Sequence, residues 1–121
     1  MSQATTLILL PQTYYTNSSI VRGDKQPAAA YYLGNQDLQP LNWYITNFQG
    51  TIYVQASLAS SPNMSNDDDW FDVYTISGSG NSGTTGTGYY NLNGNFVWLR
   101  AKISFSNYSG SGVIQYLKVS Y

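Results

Sequence analysis

The chain has no cysteine, no histidine and no glutamate, and carries only five basic and six acidic side chains in 121 residues. Each absence closes a class of function. Without cysteine there is no disulfide framework. Without histidine a serine nucleophile lacks its usual base, and zinc lacks its usual nitrogen ligands. A glycosidase needs two opposed carboxylates, yet Asp67, Asp68, Asp69 and Asp72 crowd one stretch and only Asp24 and Asp37 lie elsewhere. The expectation is a protein that is not an enzyme and takes no cofactor. A net charge of −1 leaves no basic footprint for phosphates, so no nucleic-acid partner is expected. No run of about 18 apolar residues is present, and no transmembrane helix or membrane partner is expected.

Neutral polarity fills the space that charge leaves. Charged residues make up 9% of the chain, against about 25% in an average soluble domain. Serine, threonine, asparagine, glutamine and eleven glycines take their place, together with twelve tyrosines. Such a surface hydrogen-bonds well and responds little to pH or salt. It suits a chain held in an assembly or presenting an adhesive face, because freely diffusing proteins lean on net charge for solubility. The length fits one domain, residues 1–121. The first residues lack the basic segment and long apolar core of a secretory signal. The expectation is synthesis in a cytoplasm without a signal peptide.

Period-2 alternation dominates the pattern, and helical periodicity is hard to find. In residues 51–58, Ile52, Val54, Ala56 and Leu58 point one way, while Thr51, Tyr53, Gln55 and Ser57 point the other. In residues 95–105, Val97, Leu99, Ala101, Ile103 and Phe105 form an inner row against Phe96, Trp98, Arg100, Lys102 and Ser104. In residues 112–121, Val113, Leu117 and Val119 oppose Ile114, Tyr116 and Lys118. Shorter strands are expected at 5–10, 18–22, 29–33, 42–48, 70–76 and 89–92. Turns are expected at residues 47–50 and at Asn93-Gly94, and the Ser/Gly/Thr-rich stretch 77–88 reads as a long loop. All four prolines, Pro11, Pro27, Pro40 and Pro62, are expected between strands. Eight or nine short strands in one chain predict an antiparallel two-sheet β-sandwich of jelly-roll type.

Three groups of side chains are candidates for function. Asp67, Asp68 and Asp69 are the residues a calcium ion would take. They lack the turn glycine and terminal glutamate of a calcium loop, and a solvated turn with no metal is the expected reading. Flat rings with polar tips dominate interfaces and stack on sugars. Tyr53, Tyr74 and Trp98 are placed on outer faces, Trp70 or Phe71 in the core, and Tyr53, Tyr89, Tyr90 and Trp98 are the aromatics expected to supply partner contacts. Arg100 and Lys102 stand beside Trp98 on the outer row. They read either as edge protection or as a docking patch for acidic groups.

Several stretches resemble small virion structural proteins of tailed bacteriophages, of the cyanophage and marine-phage type. They are Ala29-Ala30-Tyr31-Tyr32-Leu33-Gly34-Asn35, the run from Leu41-Asn42-Trp43-Tyr44 to Ala56-Ser57-Leu58, and Gly94-Asn95-Phe96-Val97-Trp98-Leu99-Arg100-Ala101-Lys102, with the closing rhythm from Gly112-Val113-Ile114 to Val119-Ser120-Tyr121. They cover about half the chain and include no catalytic signature. The resemblance implies a β-sandwich on the particle surface, as a capsid decoration or cement protein or as a head or tail fibre component. Its partners would be other virion proteins, such as the major capsid protein or tail and fibre subunits. A homo-oligomer, for instance a trimer, follows from the symmetry of virion appendages. The alternative is a carbohydrate-binding or host-receptor adhesion module that takes a host glycan on Tyr53 and Trp98.

Overall fold

The computed structural model describes residues 6–14, 20–28, 38–48, 50–65, 67–78, 84–94, 96–105 and 112–120. Among them there is no helix. The strands are β1 (Thr6–Leu10), β2 (Thr13–Tyr14), β3 (Ile20–Arg22), β4 (Gln26–Pro27), β5 (Leu38–Phe48), β6 (Gly50–Ser57), β7 (Phe71–Gly78), β8 (Thr84–Asn93), β9 (Trp98–Phe105) and β10 (Val113–Ser120). They form two five-stranded antiparallel sheets. Sheet A runs β1-β10-β5-β8 with β2 also on β10, and sheet B runs β3-β9-β6-β7 with β4 also on β9.

The eight longer strands wrap as one folded ribbon. β6 pairs with β7, β5 with β8, β3 with β9, and β1 with β10. These antiparallel pairs then join alternately, β5 to β10 and β6 to β9. That is the jelly-roll order, so the expected fold class holds. The two-residue strands β2 and β4 extend β1 and β3 along the same neighbours. The expected strand at 29–33 lies outside the described residues.

The core lies between the sheets. Leu9, Leu41, Phe48, Ile52, Val54, Leu99, Ile103, Ile114, Leu117 and Val119 are all buried in one cluster. Burying each such side chain is worth about 1.5–3 kcal/mol. The alternation expected for 51–58 and 95–105 holds through Ile52, Val54 and Ala56 and through Leu99, Ala101 and Ile103. Leu58 departs from it. It lies past the end of β6 and is exposed, because the chain leaves the sheet after Ser57.

Bulges explain the other departures. In β10 the register with β5 skips from Ile114 to Tyr116. Gln115 is the extra residue, and the phase of the strand flips across it. Ile114 therefore joins Leu117 and Val119 in the core, and Val113 does not. A second skip at Leu9 in β1 lets two consecutive leucines, Leu9 and Leu10, both be buried. A third, at Val73 in β7, turns Tyr74 to the core side opposite Val54. A fourth leaves Asn47 at φ 50°, a left-handed conformation that asparagine tolerates, and lets Ile45 and Phe48 both point inward.

The stretch 77–88 is shorter as a loop than expected. β7 runs to Gly78 and β8 begins at Thr84, so only 79–83 intervene, and these lie outside the described residues. Two prolines sit inside strands, contrary to expectation. Pro27 is in β4, which bonds only to β9, and Pro40 is in the end of β5 that pairs with β8 alone. Each lies where the strand ladders with a single neighbour, so a missing N–H breaks no second ladder.

Candidate binding surfaces

Part of the outer face of sheet B is covered by the chain itself. Residues 58–65 and 67–70, between β6 and β7, contact the outer row of β9 at Trp98, Arg100 and Lys102, and a hub of charge lies beneath them. The Arg100 guanidinium, fully buried, donates through Nε to Gln55 Oε1 at 2.8 Å, through Nη2 to Asp67 Oδ1 at 2.8 Å, and through Nη1 to the Met64 carbonyl at 3.2 Å. The Trp70 ring lies 4.3 Å from it. Trp70 is held in turn by its indole N–H, which donates to the Asn63 carbonyl at 2.8 Å. Gln55 passes the network on by donating to Asp72 Oδ1 at 2.9 Å.

Asp67 is the counter-charge for three cations. Besides Arg100 it accepts from Lys102 Nζ at 2.6 Å and from Arg22 Nε at 3.2 Å. The Lys102 hydrogen bond, aided by Arg22, holds this carboxyl below its usual range against the opposing effect of burial. Burial pushes Arg100 below its ordinary value, and the Asp67 charge resists that. Among the described residues no three acidic side chains gather into a metal-holding group. Asp67 faces its three cations, and Asp69 accepts from the Asn63 backbone N–H at 2.8 Å. Asp67 and Asp69 are thus engaged in contacts that hold this segment together.

The interface candidates scatter over the molecule. Arg100 does occupy the outer row, but residues 58–70 seal it off from any partner, which corrects its reading as a docking residue. Trp98, on the same row, donates its indole N–H to the Ser60 carbonyl at 3.2 Å and has Lys25 4.4 Å above its ring. Tyr53 is half-buried with Lys102 Nζ 5.5 Å from its ring centre. Tyr90 pairs with Leu41 on the core side of sheet A and stacks on Tyr74, centroids 4.0 Å apart and planes within 13°. Tyr89 faces the other way and is 76% exposed. Of the two proposed core aromatics, Trp70 is buried, though beneath the loop and not between the sheets, and Phe71 is exposed with its ring edge-on to Phe96.

Sheet A keeps its outer face open. Four of the five cations, Arg22, Lys25, Arg100 and Lys102, sit on or beside sheet B. Lys118 is the one charged residue in the strands of sheet A. Cross-strand rows on this outer face read Ile8, Lys118, Asn42, Tyr89 and Tyr116, Tyr44, Thr87. Tyr44 and Tyr116 meet edge-on, centroids 6.1 Å apart, and Lys118 lies 4.4 Å from the Tyr116 ring. Tyr14, at the end of β2, is 60% exposed.

Between the edge strands β7 and β8 the sandwich gapes into a cleft of about 320 Å³. Trp43, Ile45, Tyr74 and Ile76 form its floor, and Thr75, Ser77 and Thr87 stand at its rims. Trp43 can lie there because β8 has glycine opposite it. A Cβ at Gly88 would stand 2.5 Å from Trp43 Cζ2. Sequence reasoning missed this pairing, since the Val73 bulge that turns Tyr74 inward leaves no trace in the alternation. The chain matches no family model, no curated protein and no solved structure.

Proposed function

We propose that the protein is a non-enzymatic structural component of a bacteriophage particle surface, a decoration or fibre module that docks on neighbouring virion subunits through the outer face of sheet A. The observation that carries this reading is the asymmetry of the two sheets. Sheet B covers the outer side of β9 with its own loop and gathers most of the cations there. Sheet A leaves a face of tyrosine, threonine and asparagine, with Ile8 and Lys118, open at its outer rows. Tyrosine supplies large contact area at low entropic cost and keeps a polar tip for hydrogen bonds, so it enriches protein interfaces. A face with a single charge also avoids the cost of desolvating ions on docking. The phage-like phrases in the sequence and the jelly-roll fold, which viral capsid domains use widely, support the same reading.

The test is incorporation into particles. Tyr44→Ser with Tyr89→Ser is expected to leave the chain folded, at a cost of about 0.5–1.5 kcal/mol for the lost Tyr44–Tyr116 edge contact and little for the exposed Tyr89. It is expected to remove the chain from purified virions. Wild-type chain absent from purified particles, or double variant incorporated at wild-type level, would refute the proposal.

A further inference from the structure

We propose that the cleft between β7 and β8 is a binding site for a neutral saccharide, separate from the outer face of sheet A. The chemistry of the lining selects the ligand class. Among the described residues no charged side chain lines the cleft, so an ionic ligand entering it would lose hydration without finding a counter-charge there. A wholly apolar ligand fails for the opposite reason. β7 and β8 are edge strands, each paired on one side only, and their outward N–H and C=O groups need partners. The occupant must therefore combine an apolar face with a rim of neutral donors and acceptors.

A pyranose ring has that form. Its C–H face packs on aromatic rings, and its hydroxyls donate and accept around the perimeter. The Trp43 and Tyr74 rings, 5.8 Å apart and tilted by 41°, supply the aromatic floor. The Tyr90 ring stacks on Tyr74, centroids 4.0 Å apart. Thr75, Ser77 and Thr87 line the rims of the cleft, where the free edges of β7 and β8 offer backbone donors and acceptors to the sugar's hydroxyls. The cleft volume falls in the range of about 300–1,000 Å³ typical of small-ligand sites. Its residues span 74–77 of β7 and 85–87 of β8, a length of roughly 10–13 Å at strand rise. That accommodates a mono- or disaccharide and is short for an added peptide strand.

The three tryptophans provide an internal control. The Trp70 and Trp98 indoles are hydrogen-bonded to Asn63 and Ser60 on the other side of the molecule, while Trp43 lines the cleft. The ¹⁵N-labelled full chain is titrated by NMR with glucose, galactose, mannose and their disaccharides at millimolar concentration. At least one sugar is expected to give a saturable shift of the Trp43 indole and of backbone amides in 74–77 and 85–87, with Trp70 and Trp98 still. Trp43→Ala is expected to abolish that binding. Trp43→Phe, which keeps a ring and the fold, is expected to weaken it about tenfold. The proposal is overturned by no saturable Trp43 shift with any sugar, by equal shifts at all three indoles, or by unchanged binding in the Phe variant. It is equally overturned if an uncharged Thr/Val pentapeptide occupies the cleft in place of the sugars. Virion incorporation of the Tyr44/Tyr89 variant does not bear on this outcome.

Discussion

Arg100 and Asp67 show how much one buried ion reorganises around itself. A guanidinium removed from water is tolerated only when nearly every donor is matched. Here Gln55, Met64 and Asp67 match it and Trp70 covers its face. Arg100→Ala is therefore expected to cost about 3–5 kcal/mol in urea unfolding, since Gln55 and Asp67 lose their buried partner. Asp67→Asn is expected to cost less, about 1–2 kcal/mol, because the carboxylate is partly exposed and screened by solvent. The pH dependence follows from the lowered Asp67 pKa. A carboxyl that titrates lower when folded stabilises the fold fully above its unfolded value, and the contribution disappears as pH falls through the folded one. The melting temperature is expected to hold between pH 8 and about 5 and to fall below about pH 4, with Asp67→Asn flattening the contribution of this group. Alternation placed Arg100 correctly on the outer row. It carried no sign that residues 58–70 would fold back over that row, since this contact joins positions more than thirty residues apart. Leu58 is the converse case, in phase with its strand but beyond the strand's end. Leu58→Ser is expected to shift stability by under about 0.5 kcal/mol.

Strands were legible wherever alternation ran unbroken, and were mis-phased wherever a bulge intervened. Residues 51–57 and 99–103 needed no correction because their inner rows keep strict parity, whereas before β9 it is Phe96 and not Val97 that packs on the core. β10 and β7 each contain one extra residue, Gln115 and Val73, and one extra residue exchanges the two faces of everything beyond it. Neither residue type announces a bulge. β8 was underestimated for a different reason. Thr84-Thr85-Gly86-Thr87-Gly88 has a loop's composition, yet it forms a strand by laddering with β5, and its Gly88 leaves room for the Trp43 ring opposite. Gly88→Ala is accordingly expected to destabilise by about 1–3 kcal/mol through overpacking against the Trp43 ring, seen as a lower urea midpoint with an unchanged slope.

At the scale of the molecule, the two-layer class and the jelly-roll guess were readable from strand number and turn spacing. The pairing order was not, because every pair except β6 with β7 joins segments distant in the chain. The site was only partly readable. Tyr89 lies on the open face of sheet A, while Tyr53, Trp98 and Arg100 lie on the opposite sheet, and the cleft depends on aromatics brought together from β5, β7 and β8. Leu117, central in sheet A and fully buried, tests the core as a unit. Leu117→Ala is expected to cost about 2–5 kcal/mol.

The wrapping order also sets a schedule for synthesis. The strand at residues 6–10 finds its partner only at 113–120, so as the chain emerges its leucines wait, uncovered, until that distant strand has been made. Sheet A cannot close before then, and folding must start from the local β6–β7 pair. A nascent chain stalled before residue 113 is therefore expected to remain protease-sensitive and bound by chaperones, and the emergence of residues 113–120 would be the moment the two sheets lock.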